Sequence, residues 1–187
     1  MVTTKPISIL GISGSSRIGS LNKSLLNSAR ELLPANARLE LAEIANIPLY
    51  NQDDELSLPL SVELLKERVS QADAILLATP EYNHSIPPVL KNALDWASRP
   101  AGMNSWSGKP VAIIGASAGA MVTSRGQLHL RQVLAALEMQ VVNTPEVFVG
   151  CALQRFDVNG CLIGIGARDL LQRLLEHLTR AAEKHRQ

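Results

Sequence analysis

Residues 7–22 read Ile-Ser-Ile-Leu-Gly-Ile-Ser-Gly-Ser-Ser-Arg-Ile-Gly-Ser-Leu-Asn. The apolar run over residues 7–12 predicts a buried strand, and the glycines and serines that follow predict a loop. Apolar residues then recur at helical spacing from Leu21 to Leu33, which predicts a helix over residues 21–33. A strand, a loop of small residues and a helix in this order are typical of α/β folds.

The same alternation continues along the chain. Further strands are predicted over residues 38–43, 74–79 and 111–115 and within 141–149, where Pro145 indicates a bend or an edge position. Helices are predicted around residues 62–72, from Pro87 or Pro88 to 97, around 130–137 and around 170–178, and a long loop over 44–59. Five strands and five helices in alternation predict a doubly wound parallel sheet with helices on both faces.

The composition suits one soluble domain over residues 1–187. The chain has 187 residues, of which 46% are hydrophobic, and its 18 Lys and Arg against 17 Asp and Glu give a net charge of +1. This balance argues against a nucleic-acid partner, which usually requires a basic excess. No apolar run is near the roughly 20 residues that membrane insertion requires.

The N-terminal residues and the cysteines indicate the compartment. The first six residues lack the layout of a signal peptide. Cys151 and Cys161 make neither a disulfide framework nor a metal site, and their role stays open. A cytoplasmic, reducing location is therefore expected.

The loop after the first strand is rich in hydrogen-bond donors. It combines possible side-chain donors, Ser13, Ser15, Arg17, Ser20 and Asn22, with the start of a helix, whose unpaired N–H groups suit a phosphate. The spacings of a nucleoside triphosphatase loop and of a dinucleotide fingerprint are both absent. A phosphate monoester fits this loop, and the alternative is a flexible connector in which Ser20 only caps the helix.

Two further loops follow the third and fourth predicted strands, at the same edge of the sheet. Residues 79–87, Thr-Pro-Glu-Tyr-Asn-His-Ser-Ile-Pro, form a tight turn that could hold a planar ring by backbone donors. The alternative is an ordinary turn with Tyr82 packed and His84 solvated. Residues 115–124 are mostly small, so a ligand could approach their backbone closely, and the alternative is a flexible connector. Ligands of doubly wound sheets bind at this edge, where the strand order reverses.

The motifs together resemble a known family. Ser13-Gly14-Ser15-Ser16-Arg17 with Ser20 and Asn22, the stretch 80–85 and the stretch 90–96 (Leu-Lys-Asn-Ala-Leu-Asp-Trp) resemble the NADPH-dependent FMN reductases. This family includes NAD(P)H:quinone reductases and chromate-reducing flavoproteins. The resemblance extends from the first strand to about Gly150, and it implies a flavodoxin-like fold with strand order 2-1-3-4-5.

The resemblance also implies a cofactor site. FMN would be reduced by NADPH, with NADH as an alternative donor. The residues implied for the FMN phosphate and ribityl chain are Ser13, Ser15, Arg17, Ser20, Leu21 and Asn22. Those implied for the isoalloxazine, chiefly through backbone groups, are Pro80, Glu81, Tyr82, Asn83 and Ser85, with Ser117 and Gly119 at its opposite edge. Arg125 and Glu146 occupy positions that contribute to subunit contacts in related enzymes, which implies a homodimer or a homotetramer.

The implied reaction passes hydride from NADPH through FMN to a quinone, chromate or a similar small acceptor in a ping-pong cycle. No catalytic side chain and no metal are predicted, since the cofactor carries the chemistry. One alternative is a flavodoxin-like electron carrier or regulator without efficient turnover. Another is a receiver-type signalling domain, which is disfavoured because Gly11-Ile12-Ser13 and Thr79-Pro80 stand where it needs acidic residues.

Several positions depart from the family pattern. Pro88 and Leu128 replace residues that are often Gly and Tyr in relatives, Met121-Val122-Thr123 is bulkier than expected, and Gly164-Ile165-Gly166 precedes the last helix. The six aromatic residues are also unevenly placed. Tyr82 is expected to border the flavin and Trp96 to pack within the fold. Tyr50 and Trp106 are expected to shape the mouth of the pocket, within the chain or across a dimer interface.

Overall fold

Parallel strands form the centre of the fold in the computed structural model, which describes residues 5–119 and 122–186. The strands are β1 (Ile7–Ser13), β2 (Ala37–Ala42), β3 (Ala74–Ala78), β4 (Pro110–Ala116), β5 (Gln140–Val141) and β6 (Val147–Val149). The order is β2-β1-β3-β4-β5, with β6 also paired to β4. This order confirms the predicted flavodoxin-like sheet, with the fifth strand divided into two segments.

The division of the fifth strand lies at the predicted bend. Val141 pairs with Val111 and Val147 pairs with Ile114, so residues 142–146 stand opposite only residues 112–113. Pro145 lies in this bulge and has no N–H to donate to β4. The proline therefore interrupts the strand without ending its pairing.

Helices cover both faces of the sheet, because successive strand residues point to opposite sides. The helices are α1 (Leu21–Glu31), α2 (Leu60–Gln71), α3 (Pro88–Ala97), α4 (Ser124–Ala136) and α5 (Ile165–His185). One core contains Ile75 and Leu77 of β3 with side chains of α2, α3 and α4. The other contains Leu76 of β3 with side chains of α1 and α5. Among the described residues, no helix is both long and apolar enough to span a bilayer.

Two predicted helices begin too late in the sequence. The prediction around residues 130–137 covers only the second half of α4, and the prediction around 170–178 misses the first turn of α5. In the first turns of α4, the buried residues are Gly126 and Gln127 rather than apolar side chains. Hydrophobic periodicity therefore gives no signal for this part of the helix.

Lysines bind the backbone carbonyls at the edge where the strands begin. Lys66 Nζ donates to the carbonyl of Ala97 (3.3 Å), the last residue of α3, and to that of Met103 (2.9 Å) in the loop after it. Lys109 Nζ donates to the carbonyls of Ser70 (2.9 Å) and Ala72 (2.7 Å) at the end of α2. Burial lowers the pKa of both lysines. The last carbonyls of a helix lack intrahelical partners, and these side chains supply them.

An ion pair joins the C-terminal residues to the same edge. Arg186 donates from Nε to Asp73 Oδ1 (2.6 Å) and from Nη1 to the carbonyl of Lys5 (2.7 Å). The Ser8 N–H donates to Asp73 Oδ2 (2.7 Å). Burial raises the pKa of Asp73, but the bonds from Arg186 and Ser8 outweigh it and hold that pKa below its ordinary value.

The aromatic residues at this end of the molecule belong to the core. Trp96 and Trp106 are fully buried, and their indole N–H groups donate to the carbonyls of Pro48 (2.8 Å) and Leu94 (3.0 Å). The expected packing role of Trp96 is confirmed. Trp106 precedes β4, at the edge opposite the predicted site, and Tyr50 packs edge-on against Trp96 with ring centroids 5.0 Å apart. The expectation that Trp106 shapes the mouth of the pocket is therefore wrong, because its side chain is fully buried, and the expectation for Tyr50 stays a prediction.

Candidate functional site

Three loops lie side by side at the carboxyl ends of the strands. The first loop (residues 14–20) follows β1, the second (79–87) follows β3 and the third (117–123) follows β4, and these strands are neighbours in the sheet. The Gly14 N–H donates to the Ala78 carbonyl (2.8 Å), and the Thr79 N–H donates to the Ile114 carbonyl (3.0 Å). The chain turns in opposite directions from β1 and β3, so the loops lie at the reversal of strand order where ligands bind.

The first loop presents hydroxyls and the start of α1. Ser13 and Ser15 are buried, and Ser13 Oγ accepts from the Ser15 N–H (3.2 Å). Arg17 is exposed and donates to the Gly19 carbonyl (3.1 Å). Ser20 is the N-cap of α1, and its hydroxyl accepts from the Lys23 N–H (3.3 Å). The cap satisfies one of the first N–H groups of α1, and those of Leu21 and Asn22 have no intrahelical acceptor.

The side chain of Asn22 has a structural partner. It is buried, its Nδ2 donates to the Ala116 carbonyl (3.1 Å), and its Oδ1 accepts from the Ala116 N–H (3.0 Å). The amide thus completes the backbone hydrogen bonding at the end of β4. The expectation of a side-chain donor from Asn22 to a phosphate is corrected, because the amide is already used. Its backbone N–H at the start of α1 is what remains for a ligand.

The second loop contains a two-residue hairpin. The N–H groups of Tyr82 and Ser85 each donate to the other's carbonyl, both at 2.9 Å. Asn83 and His84 between them have φ values of 49° and 66°. Positive φ at both central residues is typical of a type I′ turn. The tight turn is thus present, and the ring of Tyr82 is about half exposed beside it.

The Glu81 carboxylate bonds the first turn of α4. Its Oε1 accepts from Arg125 Nε and its Oε2 accepts from the Gly126 N–H, both at 2.9 Å. The Glu81 side chain is only 7% exposed. Burial raises the pKa of Glu81, but the bonds from Gly126 and Arg125 outweigh it, so that pKa is lowered and the carboxylate stays ionised.

The third loop is small and close to its neighbours. Ser117 Oγ accepts from the Gly119 N–H (3.2 Å), and the Ser117 carbonyl accepts from the Ala152 N–H (3.0 Å). A Cβ on Gly115 would lie 2.1 Å from Thr123 Oγ1, so no other residue fits there. Ala120 and Met121 lie outside the described residues. The expected departure from the family pattern at residues 121–123 is therefore described only for Val122 and Thr123.

Gln127 is a site residue that sequence reasoning missed. It is buried in α4, and its Nε2 donates to Thr123 Oγ1 (3.1 Å) and to the Val147 carbonyl (3.2 Å). Its Oε1 has no hydrogen-bond partner among the described residues. A glutamine on the inner side of a helix leaves no trace in apolar periodicity, so only its position next to Gly126 could have drawn attention to it.

The charged groups near the loops are mostly paired. Lys23 Nζ lies 3.1 Å from Glu43, and Arg131 lies 3.2 Å from Glu146. Arg125 and Glu146, the two positions associated with subunit contacts, therefore both make ion pairs within this chain. Arg17, whose guanidinium bonds only to a backbone carbonyl among the described residues, remains available for an anion.

Comparison with known proteins decides the family. The model of the family described as NADPH-dependent FMN reductase matches residues 7–154, which include all three loops. The chain belongs to this family. Within this FMN reductase family, it is 50% identical over 173 residues to an NAD(P)H-dependent FMN reductase of Pseudomonas aeruginosa, a match that covers 92% of this chain and 93% of the relative.

Two further relatives agree with this assignment. A 2-hydroxy-1,4-benzoquinone reductase of a Burkholderia species is 41% identical over 170 residues, which cover 91% of this chain and 93% of the relative. The solved structure of FerB, a flavoenzyme NAD(P)H:(acceptor) oxidoreductase of Paracoccus denitrificans, is 34% identical with a TM-score of 0.89, covering 96% and 98% of the two chains. The expected fold, the FMN and NAD(P)H cofactors and the oxidoreductase activity are confirmed by this membership.

The residues of the first loop fit the phosphate end of FMN. The first turn of α1 contains no acidic residue, although acidic residues are generally favoured there. Ser15, Arg17 and the N–H groups of Leu21 and Asn22 form a donor set without a carboxylate. In contrast, the N-terminus of α4 already receives the Glu81 carboxylate. The first turn of α1 is therefore the better place for the phosphate.

Proposed function

We propose that this oxidoreductase binds FMN at the three loops and uses it to pass hydride from NADPH to a quinone-type acceptor in a ping-pong cycle. The observation that carries the proposal is the start of α1, where a serine cap, an exposed arginine and unpaired backbone N–H groups come together without an acidic residue. Bound FMN supplies the hydride chemistry of both half-reactions. The protein supplies binding and orientation.

The phosphate end of the proposed site consists of Ser13, Ser15, Arg17, Ser20 and the backbone of Leu21 and Asn22. A dianionic phosphate at a helix N-terminus gains from both the N–H groups and the helix dipole. The Arg17 guanidinium can leave the Gly19 carbonyl at little cost, because this hydrogen bond lies at the surface. Arg17 then adds a charge-assisted bond to the phosphate.

The ring end consists of Pro80, Glu81, Tyr82, Asn83 and Ser85, with Ser117 and Gly119 across from them. The type I′ turn fixes the backbone of the second loop, so donors there need no reorganisation when a planar ring binds. Tyr82 is 47% exposed, and its ring supplies an apolar border. Bound there, FMN would accept hydride from NADPH and pass it to the acceptor, and the two substrates would use the open side of the site in turn.

A quinone is the acceptor that the relatives favour. The Burkholderia relative is named for 2-hydroxy-1,4-benzoquinone, and a relative in Solanum tuberosum, 37% identical over 191 residues, is named NAD(P)H:quinone oxidoreductase. Chromate and other small acceptors would reach the same open face.

The proposed protein is one cytoplasmic domain over residues 1–187 that assembles as a homodimer or homotetramer. The resemblance supports assembly, whereas Leu128, which stands where relatives often have Tyr and is 64% exposed on α4, counts against a tetramer contact at that position. Cys151 and Cys161 are both free thiols, as suits a reducing compartment.

The test is direct. Purified protein is titrated with FMN, and the quenching of flavin fluorescence gives the dissociation constant. The complex is then mixed with NADPH or NADH in a stopped-flow instrument and with quinone and chromate in steady state. Parallel double-reciprocal lines are expected. A protein that binds FMN and is reduced only once would be the electron carrier instead, and one that binds no FMN would contradict the proposal.

A further inference from the structure

Glu81 belongs to the motif that is expected to border the flavin, but both oxygens of its carboxylate accept hydrogen bonds from α4. We propose that Glu81 is a positioning residue that joins the second loop to the first turn of α4, so that the second and third loops hold the flavin as one unit. This inference rests on the proposed function, because it assigns to Glu81 a role in the same FMN site.

The Glu81 carboxylate is bound at both oxygens. Each oxygen has its own donor, Arg125 Nε on one and the Gly126 N–H on the other, both at 2.9 Å. Gly126 is the third residue of α4, so its N–H is one of those without an intrahelical acceptor. Glu81 thus caps α4 from a different element of the chain, and a charged acceptor there also benefits from the helix dipole.

The start of α4 and the second loop approach each other closely. A Cβ on Gly126 would lie 3.2 Å from the Ser85 carbonyl and 3.3 Å from Glu81 Cβ, so the helix rests directly on the second loop. Ser85 Oγ and His129 Nδ1 lie 2.8 Å apart, one turn further along α4. The link is therefore more than a single ion pair at the surface.

The link between Glu81 and α4 holds the second and third loops in place. The backbone just after Glu81 forms the type I′ turn at Asn83 and His84, and the backbone just before Ser124 is the third loop. Both loops are proposed to border the flavin from opposite edges. A carboxylate that fixes the second loop against the start of α4 therefore also fixes the width of the space between these edges.

The bonds also exclude another role for Glu81. A general acid or base needs an oxygen within reach of the substrate. Both oxygens of Glu81 are occupied by groups of α4, and the side chain is buried. Its influence on the flavin has to pass through the backbone of the loops.

The experiment compares Glu81→Gln with Glu40→Gln. Glu40 makes an exposed ion pair with Arg38 on β2, so the control makes the same chemical change away from the site. Amide hydrogen exchange of the protein without FMN is measured by NMR. In E81Q, exchange at Gly126, Tyr82 and Ser85 should accelerate together by about tenfold or more, because glutamine offers Arg125 and Gly126 one neutral acceptor in place of two carboxylate oxygens. E40Q should match the wild type.

The same variants are then titrated with FMN. E81Q should raise the FMN dissociation constant roughly tenfold, in line with the loss of one hydrogen bond to a charged group. At saturating FMN it should also shift the midpoint potential of the bound flavin, which a general loss of stability would leave unchanged. If E81Q folds poorly, Arg125→Met, which keeps the Gly126 bond, should show the same changes to a smaller extent.

The outcomes separate the two proposals. If the wild type binds no FMN, the proposed function fails, and the exchange rates still decide whether the link exists. If the wild type binds FMN and E81Q matches it in exchange, affinity and potential, the inference about Glu81 is overturned and the proposed function stands.

Discussion

The two edges of the sheet use polar side chains in opposite ways. At the edge where the strands begin, Lys66 and Lys109 bind the carbonyls at the ends of α3 and α2, and Arg186 is held by Asp73. At the edge where the strands end, Asn22 joins one element to another and leaves the N–H groups at the start of α1 without an intrahelical acceptor.

The difference follows from the direction of the helices. In a parallel α/β sheet each helix runs back against its strands, so helix C-termini collect at one edge and N-termini at the other. The carbonyl-rich edge is neutralised by lysines of the chain itself. The N–H-rich edge receives a carboxylate at α4, from Glu81, but within the described part of the chain only the neutral hydroxyl cap of Ser20 at α1. The molecule therefore has one closed edge and one edge that is prepared for an anion.

Removing a buried amide from each edge should produce the largest effects. Asn22 and Asn92 are both buried, and Asn92 bonds the Pro48 carbonyl (2.8 Å) and the Tyr50 N–H (2.8 Å). Asn22→Ala and Asn92→Ala should each lower the free energy of unfolding by about 3 kcal/mol, since buried backbone groups lose their partners. Only N22A should also weaken FMN binding. Chemical unfolding and FMN titration measure both quantities, and an equal effect of the two variants on FMN would contradict the contrast.

Substituting one arginine at each edge should change FMN affinity in one variant and the free energy of unfolding in the other. Arg17→Ala should raise the FMN dissociation constant at least about tenfold, because a charge-assisted bond is worth roughly 1.5–3 kcal/mol, and leave the unfolding free energy nearly unchanged. Arg186→Ala should do the reverse, because it leaves the partly buried Asp73 carboxylate with only the Ser8 N–H as a donor among the described residues. Should R186A impair FMN binding as strongly as R17A, the two edges would not be functionally distinct.

Acid should lower the stability of the fold at both edges, through Asp73 at one and Glu81 at the other. It should weaken FMN binding only through Glu81. The folded-state pKa values of Glu81 and Asp73 both lie below their ordinary values of 4.5 and 3.8. A depressed pKa stabilises the fold above the unfolded-state pKa, and this contribution is lost as the pH falls through the folded-state pKa. Glu81→Gln and Asp73→Asn should each be less stable than the wild type at pH 7 by about 2 kcal/mol. Unfolding curves from pH 7 to pH 2 should show both deficits shrinking below about pH 5.

Substitutions that relieve backbone strain should have the smallest effects, and they should raise the free energy of unfolding. Val122 in the third loop has φ 55°, a conformation that is unusual for a β-branched residue, and Glu138 after α4 has φ 59°. Val122→Gly should raise the free energy of unfolding by about 1 kcal/mol. Glu138→Gly should gain less, because it also loses the bond from Ser107 Oγ (2.8 Å). Thermal unfolding distinguishes them, and a destabilised V122G would show that Val122 is not strained.

The parts of the fold that follow a regular apolar pattern could be predicted from the sequence. The continuously apolar β3 and the stripe of α1 gave the order of elements, and Pro145 gave the interruption of the fifth strand. The first half of α4 could not be found this way, because it is buried through Gly126 and Gln127 against a loop. Contacts of that kind depend on residues far apart in sequence.

The candidate site was predicted at the level of loops rather than side chains. The hydroxyls, the arginine and the helix start of the first loop are local features, so the motif contains them. The direction of the Glu81 carboxylate and the use of the Asn22 amide depend on Gly126 and Ala116, which lie 45 and 94 residues away. No local pattern reports such partners.

The start of α1, with its serine cap and no acidic residue, has a thermodynamic consequence. A ligand that binds only the folded state stabilises it by RT ln(1 + [L]/Kd). Since the positive end of this helix has no carboxylate of its own in the first turn, we expect the melting temperature to rise with the concentration of any phosphate ester that fits there. Thermal stability would then report the supply of FMN, and a cell short of flavin would hold a less stable protein.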